Sequence, residues 1–187
     1  MSNVEKFRPG SAIASGWILI AFFIGFIAQS LFYGGDVVLS IGICGAGALG
    51  AYLLFLKPYV LLFDEGIKIV NPTKEITATW DLVEEIETKY SMSITIRGEV
   101  YYAWAAPAPS GRHSRRMNST DLHPRIDSVR RVGDSLKSDS GVCSYMAKAR
   151  KKDFIGAGAS EFEIISDNKG LFILAALLLL GATAVVF

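Results

Sequence analysis

Catalysis requires side chains that converge: paired carboxylates, a nucleophile beside a base, or metal ligands at a fixed spacing. Few residues of this 187-residue chain qualify. Glu84, Glu85 and Glu87 cluster at the start of an expected strand, but alternation sends neighbours to opposite faces, which describes a solvated edge rather than an acid and base pair. His113 and His123 have no cysteine between them and do not fit the spacing of zinc ligands. Cys44 lies in an apolar block and Cys143 in a polar one, a placement that matches no metal or redox motif. No glycine-rich phosphate loop follows any expected strand, and Asn118-Ser119-Thr120 would be an idle glycosylation acceptor on a cytoplasmic loop. The sequence therefore predicts no catalytic residue, no metal ligand, no cofactor and no enzyme.

The polar groups with most to offer are cations. Arg112, Arg115, Arg116, Arg125, Arg130 and Arg131 outnumber the acids around them, and near an anionic leaflet each gains on the order of 1 kcal/mol, less at high salt. Two readings stand side by side. In one, Arg112, Arg115, Arg116, Arg130 and Arg131 touch lipid headgroups; in the other the stretch is a linker that its charge keeps solvated. A net charge of only +1 gives no argument for a nucleic-acid partner.

These residues must be positioned by what flanks them. Apolar residues make up 51% of the chain and gather into long blocks, 12–33, 37–56 and 170–187. As helices the blocks would be roughly 27 to 33 Å long, against a hydrocarbon core about 30 Å thick. The first is too long for a signal peptide, and no small-residue cleavage site follows it. Only Gly34, Gly35 and Asp36 separate the first two blocks, which predicts a tight helical hairpin. Lys6 and Arg8 precede it, Lys57, Lys68 and Lys74 follow it, and Arg150 to Lys152 and Lys169 approach the last block. Cations stay on the cytoplasmic side, so the chain is expected to be multi-pass in the cell membrane, with the N-terminus (1–11) and polar middle inside and the C-terminus outside. Gly42, Ala46 and Gly50 share one face of the second block. Such a stripe admits a close helix neighbour, either its own hairpin partner or a helix of another subunit.

Within the middle, 57–109 alternates like five or six short strands with turns at Asp64-Glu65-Gly66, Asn71-Pro72 and Gly98-Glu99. Trp80, Ile94, Ile96 and Trp104 are its expected core, because about 50 residues need large aromatics to build one. A basic linker (110–137), an amphipathic helix (138–152) with a serine cap and a juxtamembrane segment (153–169) complete the chain.

The hairpin, the strand from Lys57-Pro58, the two turns, Trp80 with Val83 and Ile86, and the run Ala103-Trp104-Ala105-Ala106-Pro107-Ala108-Pro109 together resemble actinobacterial membrane proteins that carry a bacterial pleckstrin-homology (PH-like) domain. The resemblance covers about 53–109 and, more weakly, 138–152. It implies a curled antiparallel sheet closed by a C-terminal helix and used for binding. This chain departs from that pattern because no strong helix directly follows its last strand. The expectation is a membrane protein of mixed α and β structure, a non-catalytic accessory or scaffold subunit whose partners are other integral membrane proteins and membrane lipids. A respiratory-chain complex is the assembly expected. An anionic-lipid sensor and, behind it, a small membrane enzyme are the rival readings.

Overall fold

The structure, a computed structural model, describes residues 4–109, 135–156 and 160–186. Its elements are β1 (Glu5–Phe7), α1 (Gly10–Tyr33), α2 (Val37–Ala51) continued by a π-helical turn (Tyr52–Leu56), β2 (Tyr59–Leu62), β3 (Gly66–Val70), β4 (Lys74–Thr79), β5 (Glu85–Glu87), β6 (Ser91–Ile96), β7 (Glu99–Pro107), α3 (Asp139–Asp153), β8 (Phe162–Ser166) and α4 (Lys169–Val186). They form a helical unit of Pro9–Pro58, Asn71–Glu75 and Ile165–Phe187, and a β unit of Met1–Arg8, Tyr59–Val70 and Ile76–Ile164.

In the helical unit, α1 stops at Gly34, whose φ of 77° is open to glycine at little cost and lets its N–H donate to the Ser30 carbonyl. Asp36 then caps α2 by accepting from the Leu39 N–H at 2.9 Å. At 24 and 20 residues, α1 and α2 with its π turn are long and apolar enough to cross a membrane; α4 has 18 residues. Trp17, Ile18, Phe22 and Phe32 of α1 and Phe172 and Leu179 of α4 are exposed, a surface suited to lipid rather than water.

The small residues of α2 are used inside the chain. A Cβ on Gly42 would run into the backbone of Gly181 in α4 and come within 2.9 Å of the Leu177 carbonyl oxygen. Ala46 is buried beside it, whereas Gly50 has only ordinary contact, 3.9 Å to Leu174. The opposite side of α2 meets α1, with Gly47 under the Phe23 ring, and a Cβ built on Gly16 would come within 2.8 Å of Leu56. At Gly42 the stripe thus receives the chain's own last helix.

The β unit holds two antiparallel sheets, ordered β1-β2-β3-β4-β8 and β5-β6-β7. Val60, Leu62, Ile67, Ile69, Ile76, Ala78, Trp80, Met92, Ile94 and Ile96 fill one core between them. Strands β1 and β8 fall within 1–11 and 153–169, where the sequence shows no strand pattern. Three and five residues are too short to display alternation, and pairing to distant strands makes them strands, Glu5 opposite Leu62 and Phe7 opposite Val60 in the case of β1. Helix α3 begins where the serine cap predicts, Ser138 accepting from the Gly141 N–H at 3.0 Å, and packs Cys143 and Ala147 into the core. It lies against β2, β5, β6 and β7. Arg150 holds it there through Glu5 at 3.2 Å and Asp64 at 2.5 Å.

One expected core residue is misplaced. Trp80, Ile94 and Ile96 are buried, but Trp104 is 55% exposed. The turn into β7 is Arg97-Gly98, both at positive φ, rather than Gly98-Glu99. It pairs Ile96 with Glu99 and Ile94 with Tyr101, so Tyr101, Ala103 and Ala105 face inward, ahead of the irregular end at which Ala106 is buried as well. Ala103 and Ala105 take the inner sites, and their small size lets α3 lie close. Trp104 must point out.

Candidate functional site

The same register builds the outer face of the three-stranded sheet. Across β6 and β7, Thr95 opposes Val100 and Ser93 opposes Tyr102; across β5 and β6, Glu85 opposes Thr95 and Glu87 opposes Ser93. Opposed residues of an antiparallel pair share a face. Two rows therefore cross the sheet, Glu85–Thr95–Val100 and Glu87–Ser93–Tyr102, with Trp104 two positions beyond Tyr102. Val100 is 43% and Tyr102 46% exposed. Short hydroxyl side chains in the middle leave the rings and the carboxylates standing above them. Such a face can stack, accept hydrogen bonds and attract cations.

Of the acids singled out in the sequence, Glu84 is occupied elsewhere, its carboxylate accepting from the Gly98 N–H at 3.2 Å and so bracing the β6–β7 turn. Glu85 is exposed at the edge strand and Glu87 half-buried on the same face. Among the described residues no group of three or more His, Cys, Asp or Glu is placed to hold a metal ion. Burial, with Asp139 beside it, pushes the Cys143 thiol up to about 12, which keeps it protonated and a packing group. His113, His123, Asn118 and the arginines Arg112, Arg115, Arg116, Arg125, Arg130 and Arg131 lie outside the described residues.

Within the helical unit a second polar cluster joins three segments. Lys57 Nζ donates to the Pro72 carbonyl at 2.7 Å and to Asp167 Oδ2 at 2.9 Å, and the Asp167 N–H donates to the Thr73 carbonyl at 2.8 Å. The Lys57 hydrogen bond and charge hold the Asp167 carboxyl below the usual carboxylate range. A depressed folded value means that the stabilisation is complete above the unfolded value, about pH 4, and is lost as pH falls through the folded one. In thermal melts of the full chain in detergent, the advantage of wild type over Asp167→Asn should shrink between pH 5 and pH 3. A gap that stayed constant over that range would show that the ion pair does not couple to folding.

Set against known proteins, the chain matches no family model, no curated protein and no solved structure.

Proposed function

We propose that the chain is a non-catalytic, multi-pass subunit of a larger membrane-protein complex, anchored by its helices, whose β unit binds a neighbouring subunit on the cytoplasmic side. The observation that carries this reading is Trp104, a large aromatic left 55% exposed on a strand whose inner positions are already filled. With Tyr102 and Val100 it forms the kind of rigid anchor in which interface energy concentrates. The lysines and arginines outside the apolar blocks, against none in the Gly34–Asp36 turn, support a cytoplasmic β unit and a C-terminus outside. Two antiparallel sheets with α3 across them support the PH-like reading, and with it binding rather than catalysis.

The test is co-purification. A tagged chain extracted in mild detergent should carry integral membrane partners, respiratory-chain subunits being the first to look for. Tyr102→Ala with Trp104→Ala should cut their recovery roughly tenfold or more, the loss of an interface hot spot, while the chain remains in the membrane fraction. An unchanged set of partners in the double variant, or a wild type that elutes alone, would defeat the proposal.

A further inference from the structure

Helix α3 carries four cations, Lys148, Arg150, Lys151 and Lys152, and the fold sorts them. Arg150 turns to the body of the β unit, where Glu5 and Asp64 hold it. Lys151 donates to the Val83 carbonyl and, at 3.1 Å, to the Glu84 carbonyl. Lys148 and Lys152 take the other side. One turn apart, they stand with Tyr145 and Ala149 opposite the Cys143 and Ala147 stripe that enters the core. All four are exposed, Tyr145 to 64%.

Like charges at this spacing weaken a helix, and among the described residues neither lysine forms an ion pair. The helix dipole favours cations in the last turn, which accounts for Lys152 but not for Lys148, a turn earlier. Past the helix end the backbone is extended at Phe154, and side chains there alternate. Phe154 turns in against the core, so Ile155 turns out and is 99% exposed. Along the chain, two unmatched ammonium groups thus lie between an exposed tyrosine and an exposed isoleucine.

That mixture says what covers it. Lysine is depleted where protein meets protein, since its charge must be desolvated there, whereas lysine and tyrosine collect at the boundary of headgroups and hydrocarbon. A lysine stem lies along the apolar side of that boundary while its ammonium group reaches phosphate. The chain also brings such a boundary with it. Its β unit runs directly into helices long and apolar enough to cross a membrane, at Arg8–Pro9 and at Pro58–Tyr59, which keeps a leaflet at high effective concentration.

We infer that the outer side of α3, with Tyr145, Lys148, Lys152 and Ile155, docks on the anionic headgroups of the bilayer that anchors the chain. The inference rests on the anchoring of α1 and α2 in a membrane and is independent of the Trp104 face. Docking gives the β unit a second attachment, sensitive to salt and to lipid charge, where the helices alone give a fixed one.

An environment-sensitive fluorophore on Ala149→Cys, between the two lysines, reads this in the full chain with Cys44→Ala; Cys143 is buried and stays unlabelled. The chain is reconstituted in nanodiscs of phosphatidylcholine alone, or of equal phosphatidylcholine and phosphatidylglycerol. Each lysine near an anionic surface is worth about fivefold at low salt, so the ratio of docked to free label, read from the blue shift of emission, should be about 10- to 30-fold higher with phosphatidylglycerol. The gain should vanish at molar salt, where the screening length falls to about 3 Å. Lys148→Gln with Lys152→Gln should abolish it with far-UV circular dichroism unchanged, and Tyr145→Ser should lose part of it. Equal emission in the two lipids overturns the docking, as does a gain that survives in the double variant, which would come from other cations of the chain. Emission that responds only when membrane partners are co-purified would assign this side of α3 to a protein, and overturns it too. Alkaline carbonate extraction separates the inference from the reading it rests on. If wild type is stripped from membranes, the anchoring is wrong; if it stays and the emission does not respond to lipid charge, the docking is.

Discussion

Trp80→Ala is expected to cost the β unit about 3–5 kcal/mol, the usual penalty for truncating a fully buried tryptophan, while Trp104→Ala stays within about 0.5 kcal/mol of wild type. Trp80 is only 1% exposed and lies in the core shared by both sheets. Its indole N–H donates to the Phe63 carbonyl at 3.0 Å and its backbone N–H to the Glu65 carbonyl at 3.1 Å. One residue thus fills the interior and ties down the β2–β3 turn. Alanine would leave a cavity and remove the indole donor, but the Phe63 carbonyl still accepts from the Gly66 N–H at 3.3 Å, so the cavity dominates the cost. Far-UV circular dichroism of the full chain in detergent during a urea titration is the measurement, since it follows strand content without depending on the deleted indole. A Trp80→Ala midpoint that coincides with wild type would mean that the core is not built around this side chain. A Trp104→Ala midpoint that falls as far as that of Trp80→Ala would mean that Trp104 packs inside after all.

The contrast between these two tryptophans shows what the sequence discloses. Ile76, Ala78 and Trp80 declare their face by alternation alone, as do Ile94 and Ile96, because a strand reads at period two wherever its partner lies. Trp104 was legible by the same rule, counted from the turn: two positive-φ residues at Arg97-Gly98 set Val100, Tyr102 and Trp104 of β7 outward. Aromatic bulk is a weaker guide than parity. The apolar blocks were legible because bilayer thickness fixes their length, and α3 because its serine cap is local. Strands β1 and β8 were not, since each is a strand only through a partner far away in sequence, as when Glu5 pairs with Leu62. The cations beside Tyr59 carry the same lesson. Lys6 and Arg8 mark orientation in the sequence, and only the β1–β2 register brings them over Tyr59.

The tightest long-range contact of the helical unit gives the other large effect. Gly42→Ala should lower the melting temperature of the full chain in nanodiscs most, Gly181→Ala less, and Gly50→Ala not at all. At Gly42 the added methyl falls on the backbone of Gly181, which cannot turn away as a side chain would, so α2 and α4 must separate. At Gly181 the added methyl comes to 3.3 Å from Ile43 and 3.4 Å from Gly42, distances that a shift of a few tenths of an ångström relieves. At Gly50 the nearest atom is 3.9 Å away, and at Gly25, on α1, nothing lies within 4 Å. Alanine in place of glycine favours a helix interior by roughly 1 kcal/mol, so Gly50→Ala and Gly25→Ala should be neutral or slightly stabilising. The same gain at Gly42 competes with an overpacking penalty of about 1–3 kcal/mol or more, and the net sign there reports the helix contact itself. Gly42→Ala melting together with Gly50→Ala would mean that α4 does not rest on this stripe, and would return Gly42, Ala46 and Gly50 to the role of a surface for another subunit. If the predicted order holds, that stripe is spent within the chain, and a partner helix must approach through the exposed faces of α1 or α4, where Phe22 and Phe172 stand outward.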